Sequence, residues 1–299
     1  MSAIIGIDAA WTSHHSSGVA LIRQTELGGW ESVSVSPSYE EFIGLSASEV
    51  NKTADGKVPV AALLKAAKCR AKADVKLIVA DIPLATGPIH GLRCADRKVS
   101  KFFGGKGCST HAPSTTRPGP ISVEIRDGLQ ECGFQLATNQ NDLSDHALIE
   151  TYPHPALLSL MKASYRVPYK VCKSKKYWPR LDPKERLVKI AEKLGEILAA
   201  LSAPISGIDF VVPKDSTSFS GLKPVEDKID ALVCAWVGIQ ILEGSAMAIG
   251  DDEASIWLPA ELISSARPED WGAYLASSPV ASDEYMAGVE DLPVQDRSE

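Results

Sequence analysis

Short apolar runs separated by turn signals open the chain and predict a sheet. Residues 4–8, 18–23 and 30–35 each have the composition of a strand, with apolar side chains dominating the first two runs and alternating with polar ones in the third. Gly28 and Gly29 form a hairpin-type turn signal before the third run. The opening therefore predicts three strands in an antiparallel meander.

Helical spacing of apolar residues then alternates with further strands. Helices are predicted at 60–73, at 120–133, after Pro155, at 183–201 and at 224–243, and strands at 75–82, 147–152 and 256–258, the last as an edge strand. This order predicts an α/β fold in which a mixed sheet, antiparallel at first and parallel afterwards, is flanked by helices.

Composition along the chain divides it into a domain and a tail. Residues 1–263 are predicted to form one domain, with a long irregular insertion loop at about 87–120 that is rich in Gly, Pro, Ser and Thr. Residues 251–299 hold 12 acidic residues against 2 arginines, and 264–299 are expected to be an acidic, loosely ordered tail.

Overall composition excludes several classes of protein. The hydrophobic share of 44% and the charged share of 23% are those of a globular protein, and no apolar run reaches the ~18 residues of a membrane span. The N-terminus lacks the basic region of a secretory signal. Six scattered cysteines without a C-x-x-C pair argue against a disulfide framework or a zinc site. We expect a cytoplasmic protein without membrane contact.

The formal net charge of −7 argues mildly against general affinity for nucleic acid. The charge is, however, unevenly distributed along the chain. Residues 162–193 nevertheless hold 11 Lys or Arg against 3 Asp or Glu. Such a segment could bind a polyanion, and a solvated helical face is the plain alternative.

Four carboxylates occupy places that suggest a metal site. Asp8, Asp81 and Glu150 each end an apolar run, and Asp230 lies within the apolar stretch 229–242. Because an unpaired carboxylate is costly to bury, carboxylates that converge at strand ends beside a helix indicate a divalent cation, Mg²⁺ or Mn²⁺. Asp227 shares the helix face of Asp230. The alternatives are turn or cap roles for Asp8 and Asp81, and a helix-dipole role for Asp227.

The chain resembles the family known as domain of unknown function 429, described as predicted nucleases with an RNase H-like fold. Five stretches carry the resemblance, at 5–11, 81–84, 93–97, 150–155 and 230–235. The resemblance implies an RNase H-like fold and a metal-dependent nuclease, which would be an enzyme acting on nucleic acid. Within it, the candidate catalytic and metal-binding residues are Asp8, Asp81, Glu150 and Asp230, with Asp227 as a further metal ligand.

Candidate substrate-binding residues lie next to these carboxylates. Arg93, Asp96 and Arg97 follow the second acidic strand and are three of these candidates. On a helix, Arg93 and Arg97 would share a face and could hold phosphate, whereas a surface ion-pair network around Asp96 is the alternative.

Three more candidates follow Glu150 or open the basic segment. Tyr152 and His154 come directly after Glu150, and the imidazole could protonate a leaving group or orient water. A hydrogen-bonded turn histidine is the alternative. Lys170 could steady a backbone phosphate, and a solvated lysine is the alternative.

Metal-dependent hydrolysis of phosphodiester bonds is thus the leading functional hypothesis. A sugar-kinase or actin-like phosphotransferase is a second, but the chain is short for a duplicated domain and Ala9-Ala10-Trp11 lacks the expected glycine. A non-enzymatic nucleic-acid-binding module with the same fold is a third.

Overall fold

The opening strands form the predicted meander in a computed structural model that describes residues 1–12, 16–44, 59–213 and 218–264. Strand β1 (Ser2–Asp8) pairs antiparallel with β2 (Gly18–Gln24), and β2 pairs antiparallel with β3 (Trp30–Ser36). Alternate side chains of β1 enter two different cores, Ile4 on one face of the sheet and Ile5 on the other. Burial on both faces explains the nearly continuous apolar run of β1.

Parallel strands extend the sheet on the other side of β1. Strand β4 (Asp74–Ala80) lies beside β1, β6 (Ala147–Glu150) beside β4, and the short β5 (Gln135–Leu136) beside β6, while β7 (Ile205–Ser206) pairs parallel with β3. The seven-stranded order is β5-β6-β4-β1-β2-β3-β7. The predicted mixed α/β sheet is therefore confirmed, and its order is consistent with an RNase H-like arrangement.

Helices cover both faces of this sheet. In chain order they are α1 (Tyr39–Ile43), α2 (Val60–Ala71), α3 (Cys94–Phe103), α4 (Gly119–Glu131), α5 (Pro153–Leu160), α6 (Ser174–Tyr177), α7 (Pro183–Leu201), α8 (Phe219–Leu242) and α9 (Glu261–Ser264). Helix α7 has the predicted bounds, whereas α8 begins five residues before its predicted start, so that Pro224 lies inside it. No helix in the described ranges is long and apolar enough to span a membrane.

Two expectations differ from the structure. The segment 87–120 is not irregular throughout, because it contains α3. The strand predicted at 256–258 is not an edge strand of the main sheet: it belongs to β9 (Ser255–Pro259), which pairs antiparallel with β8 (Ala246–Gly250) in a separate two-stranded sheet. Met1–Ile263 form one compact unit, and the predicted acidic tail beyond residue 264 lies outside the described residues.

Helix α8 lies directly on β1 and β2 because glycines face it. A Cβ atom on Gly6 would lie 2.5 Å from the backbone nitrogen of Ala235, and one on Gly18 would lie 2.7 Å from the carbonyl carbon of Asp227. No real Cβ atom approaches backbone so closely, so only glycine fits at these positions. Small residues of α8, among them Ala231, are fully buried in this contact. The close approach brings the acidic face of α8 to the end of β1.

Candidate functional site

A cavity of about 750 Å³ opens where β1, β4 and β6 end. This volume is within the range of small-molecule binding sites. Its lining combines acidic residues with basic and aromatic ones, including Asp8, Asp81, Glu150, Asp227, His111, Arg117, Lys170, Lys173, Trp11 and Tyr152. The strand-end carboxylates expected to converge therefore do reach one cavity.

Asp8 and Asp81 are the open carboxylates of this cavity. Both are half-buried, and no described residue donates a hydrogen bond to either side chain. Burial raises the pKa of Asp8 to about 6 against the opposing charge of Lys170. Burial and the charge of Asp8 raise the pKa of Asp81 well above its usual value. A pair of desolvated carboxylates that repel each other would gain from a cation.

Asp230 is paired within the protein and does not line the cavity. The Tyr169 hydroxyl donates to its Oδ1 atom at 2.6 Å, and the Lys170 ammonium donates to its Oδ2 atom. The side chain is fully buried, and burial raises its pKa to about 7 although Lys170 opposes the shift. The apolar pattern correctly predicted a helix around Asp230, but it carried no signal for the partners of this carboxylate.

Glu226 completes this buried network and was not among the site residues predicted from the sequence. Its Oε2 atom accepts from the Val171 backbone at 2.6 Å, and its Oε1 atom lies 3.5 Å from Lys170 and 2.9 Å from Lys223. Burial alone would raise its pKa, but Lys170, Lys223 and the Val171 amide together lower it. Its position four residues before Asp230, on the same helix face, was the available signal.

Asp227 lies on the cavity wall with a partly exposed partner. Lys223 donates to its Oδ1 atom at 2.5 Å, and the Ser16 hydroxyl donates to its Oδ2 atom at 3.3 Å. Burial raises its pKa, and the charge of Lys223 opposes the shift. The Lys223 side chain is 46% exposed, so this pair can open more easily than the pair at Asp230.

Glu150 is bound by Arg93 instead of facing the cavity as an open ligand. The two guanidinium Nη atoms donate to its two carboxylate oxygens at 2.5 and 2.7 Å, and the Leu84 backbone donates at 2.6 Å. Burial still raises the pKa of Glu150 to about 7. Arg93 also donates to both oxygens of Asp96, at 2.8 and 2.9 Å.

Arg93 is therefore an internal brace between two buried carboxylates, with its side chain 8% exposed. It caps α3 and lies outside that helix, so it does not share a helical face with Arg97. Arg97 is exposed and donates to the Leu92 carbonyl at 2.9 Å. The two arginines expected to hold phosphate together thus have different environments, and the ion-pair network around Asp96 is buried.

His154 is buried, and its surroundings favour the neutral form of its imidazole. Its Nε2 atom contacts the Arg166 guanidinium, and because arginine can only donate, the ring proton must lie on Nδ1. Burial and the charges of Lys170 and Arg166 hold its pKa well below the usual value. Tyr152 packs edge-on against this ring and donates its hydroxyl proton to the Ser109 carbonyl at 3.0 Å.

Basic residues without a carboxylate partner form one wall of the cavity. Neither Arg117 nor Lys173 makes an ion pair with any residue that the structure describes. Burial and the nearby Arg166 lower the pKa of Lys173, and burial and Lys173 lower that of His111. The Arg117 guanidinium lies 6.0 Å from the Trp11 ring centre, and His111 meets that ring edge-on at 6.4 Å. Positive charge is concentrated here, and no described carboxylate pairs with Arg117 or Lys173. The basic composition of 162–193 predicted the contribution of Lys173 to this wall but not that of Arg117 or His111.

The five carboxylates predicted as metal ligands do not form one ready-made ligand set. No group of three or more His, Cys, Asp or Glu side chains within the described ranges is placed to hold a metal ion. Two carboxylates are open, at Asp8 and Asp81. The other three are paired: Glu150 with Arg93, Asp227 with Lys223 and Asp230 with Lys170. Any ion bound here would need further ligands from water or substrate.

Comparison with curated proteins and with solved structures finds no match. A family model described as "Protein of unknown function (DUF429)" matches residues 6–255, and the chain therefore belongs to this family.

Proposed function

We propose that the protein is a phosphodiester hydrolase acting on nucleic acid, with Mg²⁺ or Mn²⁺ held by Asp8 and Asp81. One observation carries this proposal: open carboxylates and unpaired basic residues line the same cavity. A phosphate group bound beside a metal ion would complement both, because the ion would meet the carboxylates and the phosphate oxygens would meet the basic wall.

The donor chemistry at Asp8 and Asp81 suits such an ion. Magnesium prefers oxygen ligands and is commonly held by one or two carboxylates together with substrate phosphate and water. Two open carboxylates are therefore sufficient, and a full set of protein ligands is not required. When bound, the ion would supply positive charge that polarises a phosphoryl oxygen and lowers the pKa of bound water.

The remaining cavity residues would bind and orient the substrate. Lys173 and Arg117 would attract the phosphate backbone, since neither has a carboxylate partner among the described residues. The half-buried Trp11 ring beside Arg117 offers an aromatic face for a nucleobase. Neutral His154 would not act as a general acid near pH 7, because the surrounding cations disfavour its protonated form.

Cleavage of labelled nucleic acids tests the proposal. Single-stranded, duplex, hybrid and branched substrates would be incubated with Mg²⁺ or Mn²⁺ and wild-type protein, Asp8→Asn or Asp81→Asn. Asp145→Asn is the matched control, because its carboxylate is 89% exposed and away from the cavity. We expect metal-dependent cutting by wild type and control and a loss of at least about 100-fold in the two cavity variants. No cutting of any substrate would contradict the proposal.

A further inference from the structure

Residues 169–171 form a short segment that covers the acidic face of α8. The Tyr169 hydroxyl and the Lys170 ammonium each donate to one oxygen of Asp230. The Val171 backbone donates to one oxygen of Glu226, and the Lys170 ammonium lies 3.5 Å from the other. All four oxygens of these two carboxylates therefore have a donor or a cation from the protein itself.

Burial makes this pairing strong. Asp230 and Glu226 are 0% and 1% exposed, and the Lys170 side chain is 16% exposed. Removing one partner of a buried ion pair is strongly unfavourable, because it leaves an uncompensated charge in low dielectric. A divalent ion could reach Asp230 only by displacing the ammonium and taking over its contacts. The lysine therefore competes directly with any metal ion at this helix face.

We infer that the Lys170 ammonium takes the place of a second divalent cation, so that the cavity needs only one ion, at Asp8 and Asp81. A lysine ammonium is a compact point charge with three donors, which suits the convergence of two carboxylates. Only the position of the first ion depends on the proposed function. Lys170 is then a positioning residue that neutralises α8 beside the cavity, and it is not free to bind substrate phosphate.

Counting bound Mn²⁺ ions by calorimetry and electron paramagnetic resonance tests this inference. Wild type would be compared with Lys170→Met, which removes the charge but keeps an extended side chain, and with Lys170→Arg, which keeps the charge. We expect Lys170→Met to bind one more ion than wild type, and Lys170→Arg to bind the same number as wild type. Adding Asp230→Asn to Lys170→Met should abolish the additional ion. Equal numbers in wild type and Lys170→Met would overturn the inference.

A failure of the proposed function would give a different result in the same measurement. If Asp8→Asn leaves the wild-type number of ions unchanged, or if wild type binds none, the site at Asp8 and Asp81 is wrong, while the difference between wild type and Lys170→Met still decides the role of the lysine. If Lys170→Met does not fold, as judged by circular dichroism, Asp230→Asn alone replaces it. This variant should bind as many ions as wild type, and loss of an ion would show that Asp230 is a metal ligand.

Discussion

Replacing Arg93 with methionine should destabilise the fold strongly, because this arginine is the internal brace of two buried carboxylates. Its guanidinium donates to both oxygens of Glu150 and both oxygens of Asp96, and also to the Leu84 carbonyl at 2.6 Å. Asp96 and Glu150 are 1% and 3% exposed. Methionine fills much of the same volume but leaves both carboxylates without a cation.

The expected cost follows from breaking a buried ion pair, which is about 3–5 kcal/mol when one partner is removed. Two carboxylates are left behind here, so the upper end, about 5 kcal/mol, applies near pH 8. This is a large share of the roughly 5–15 kcal/mol that stabilises a typical domain.

The cost should also depend on pH. Burial already raises the pKa of Glu150 to about 7 with Arg93 present, and removing the cation would raise it further. A carboxyl group whose pKa is higher in the folded than in the unfolded protein binds its proton more tightly when folded, so stability falls as pH rises. The variant should therefore lose less stability at pH 5.5, where Glu150 can be protonated, than at pH 8.5.

Urea unfolding at these two pH values measures both effects. Arg97→Met is the matched control, since Arg97 lies four residues away and is exposed, and it should change the free energy of unfolding by less than about 0.5 kcal/mol. If Arg93→Met lowers the free energy of unfolding by less than about 1 kcal/mol, or by the same amount at both pH values, Arg93 does not stabilise the two buried carboxylates as described. A stable variant that loses only nucleic-acid binding would instead support the phosphate role expected from the sequence.

Three further outcomes are expected. Gly6→Ala should lower the free energy of unfolding by more than the about 1–3 kcal/mol of ordinary overpacking, because its Cβ atom would clash with the backbone of α8. Gly87→Ala is the control and should leave the melting temperature nearly unchanged, because a Cβ atom there has nothing within 4 Å. Burial raises the pKa of Asp8 to about 6 from 3.8. The free energy of unfolding of the metal-free wild type, measured by urea denaturation, should therefore fall as pH rises from 4 to 7. Asp8→Asn should reduce that fall. Lys173→Met should weaken oligonucleotide binding, measured by fluorescence anisotropy, and should reduce the slope of log affinity against log salt concentration by about one. Lys175→Met, which changes an exposed lysine nearby, should have a smaller effect. Equal effects of the two substitutions would argue against a specific basic wall.

Local patterns predicted the parts of the fold that depend on local chemistry. Alternation and a glycine turn predicted the meander, and the helical spacing of apolar residues predicted the bounds of α7. The two-stranded sheet of β8 and β9 was missed because a short apolar run is the same signal for any strand. Pro224 was predicted as the start of α8, although the helix begins at Phe219, five residues earlier, with Ser218 as its cap.

The position of the candidate site was predictable from the sequence, but the ion pairs that its carboxylates make were not. Strand ends in a parallel sheet meet at one edge, so Asp8, Asp81 and Glu150 were expected to converge there. Their partners were not predictable, because Arg93 lies 57 residues from Glu150 and Lys170 lies 60 residues from Asp230. Pairing over such separations depends on loop geometry, and periodicity carries no information about it.

The most direct measurement is the position of Mn²⁺ in crystals of the full chain, located by anomalous scattering at the manganese edge. One peak within coordination distance of the Asp8 and Asp81 carboxylates is predicted, with the Lys170 ammonium still at Asp230. Crystals of Asp8→Asn grown in the same way should lack that peak. An absence of any peak at Asp8 and Asp81 in wild type, or a peak at Asp230 with Lys170 displaced, would contradict a one-ion phosphodiester hydrolase.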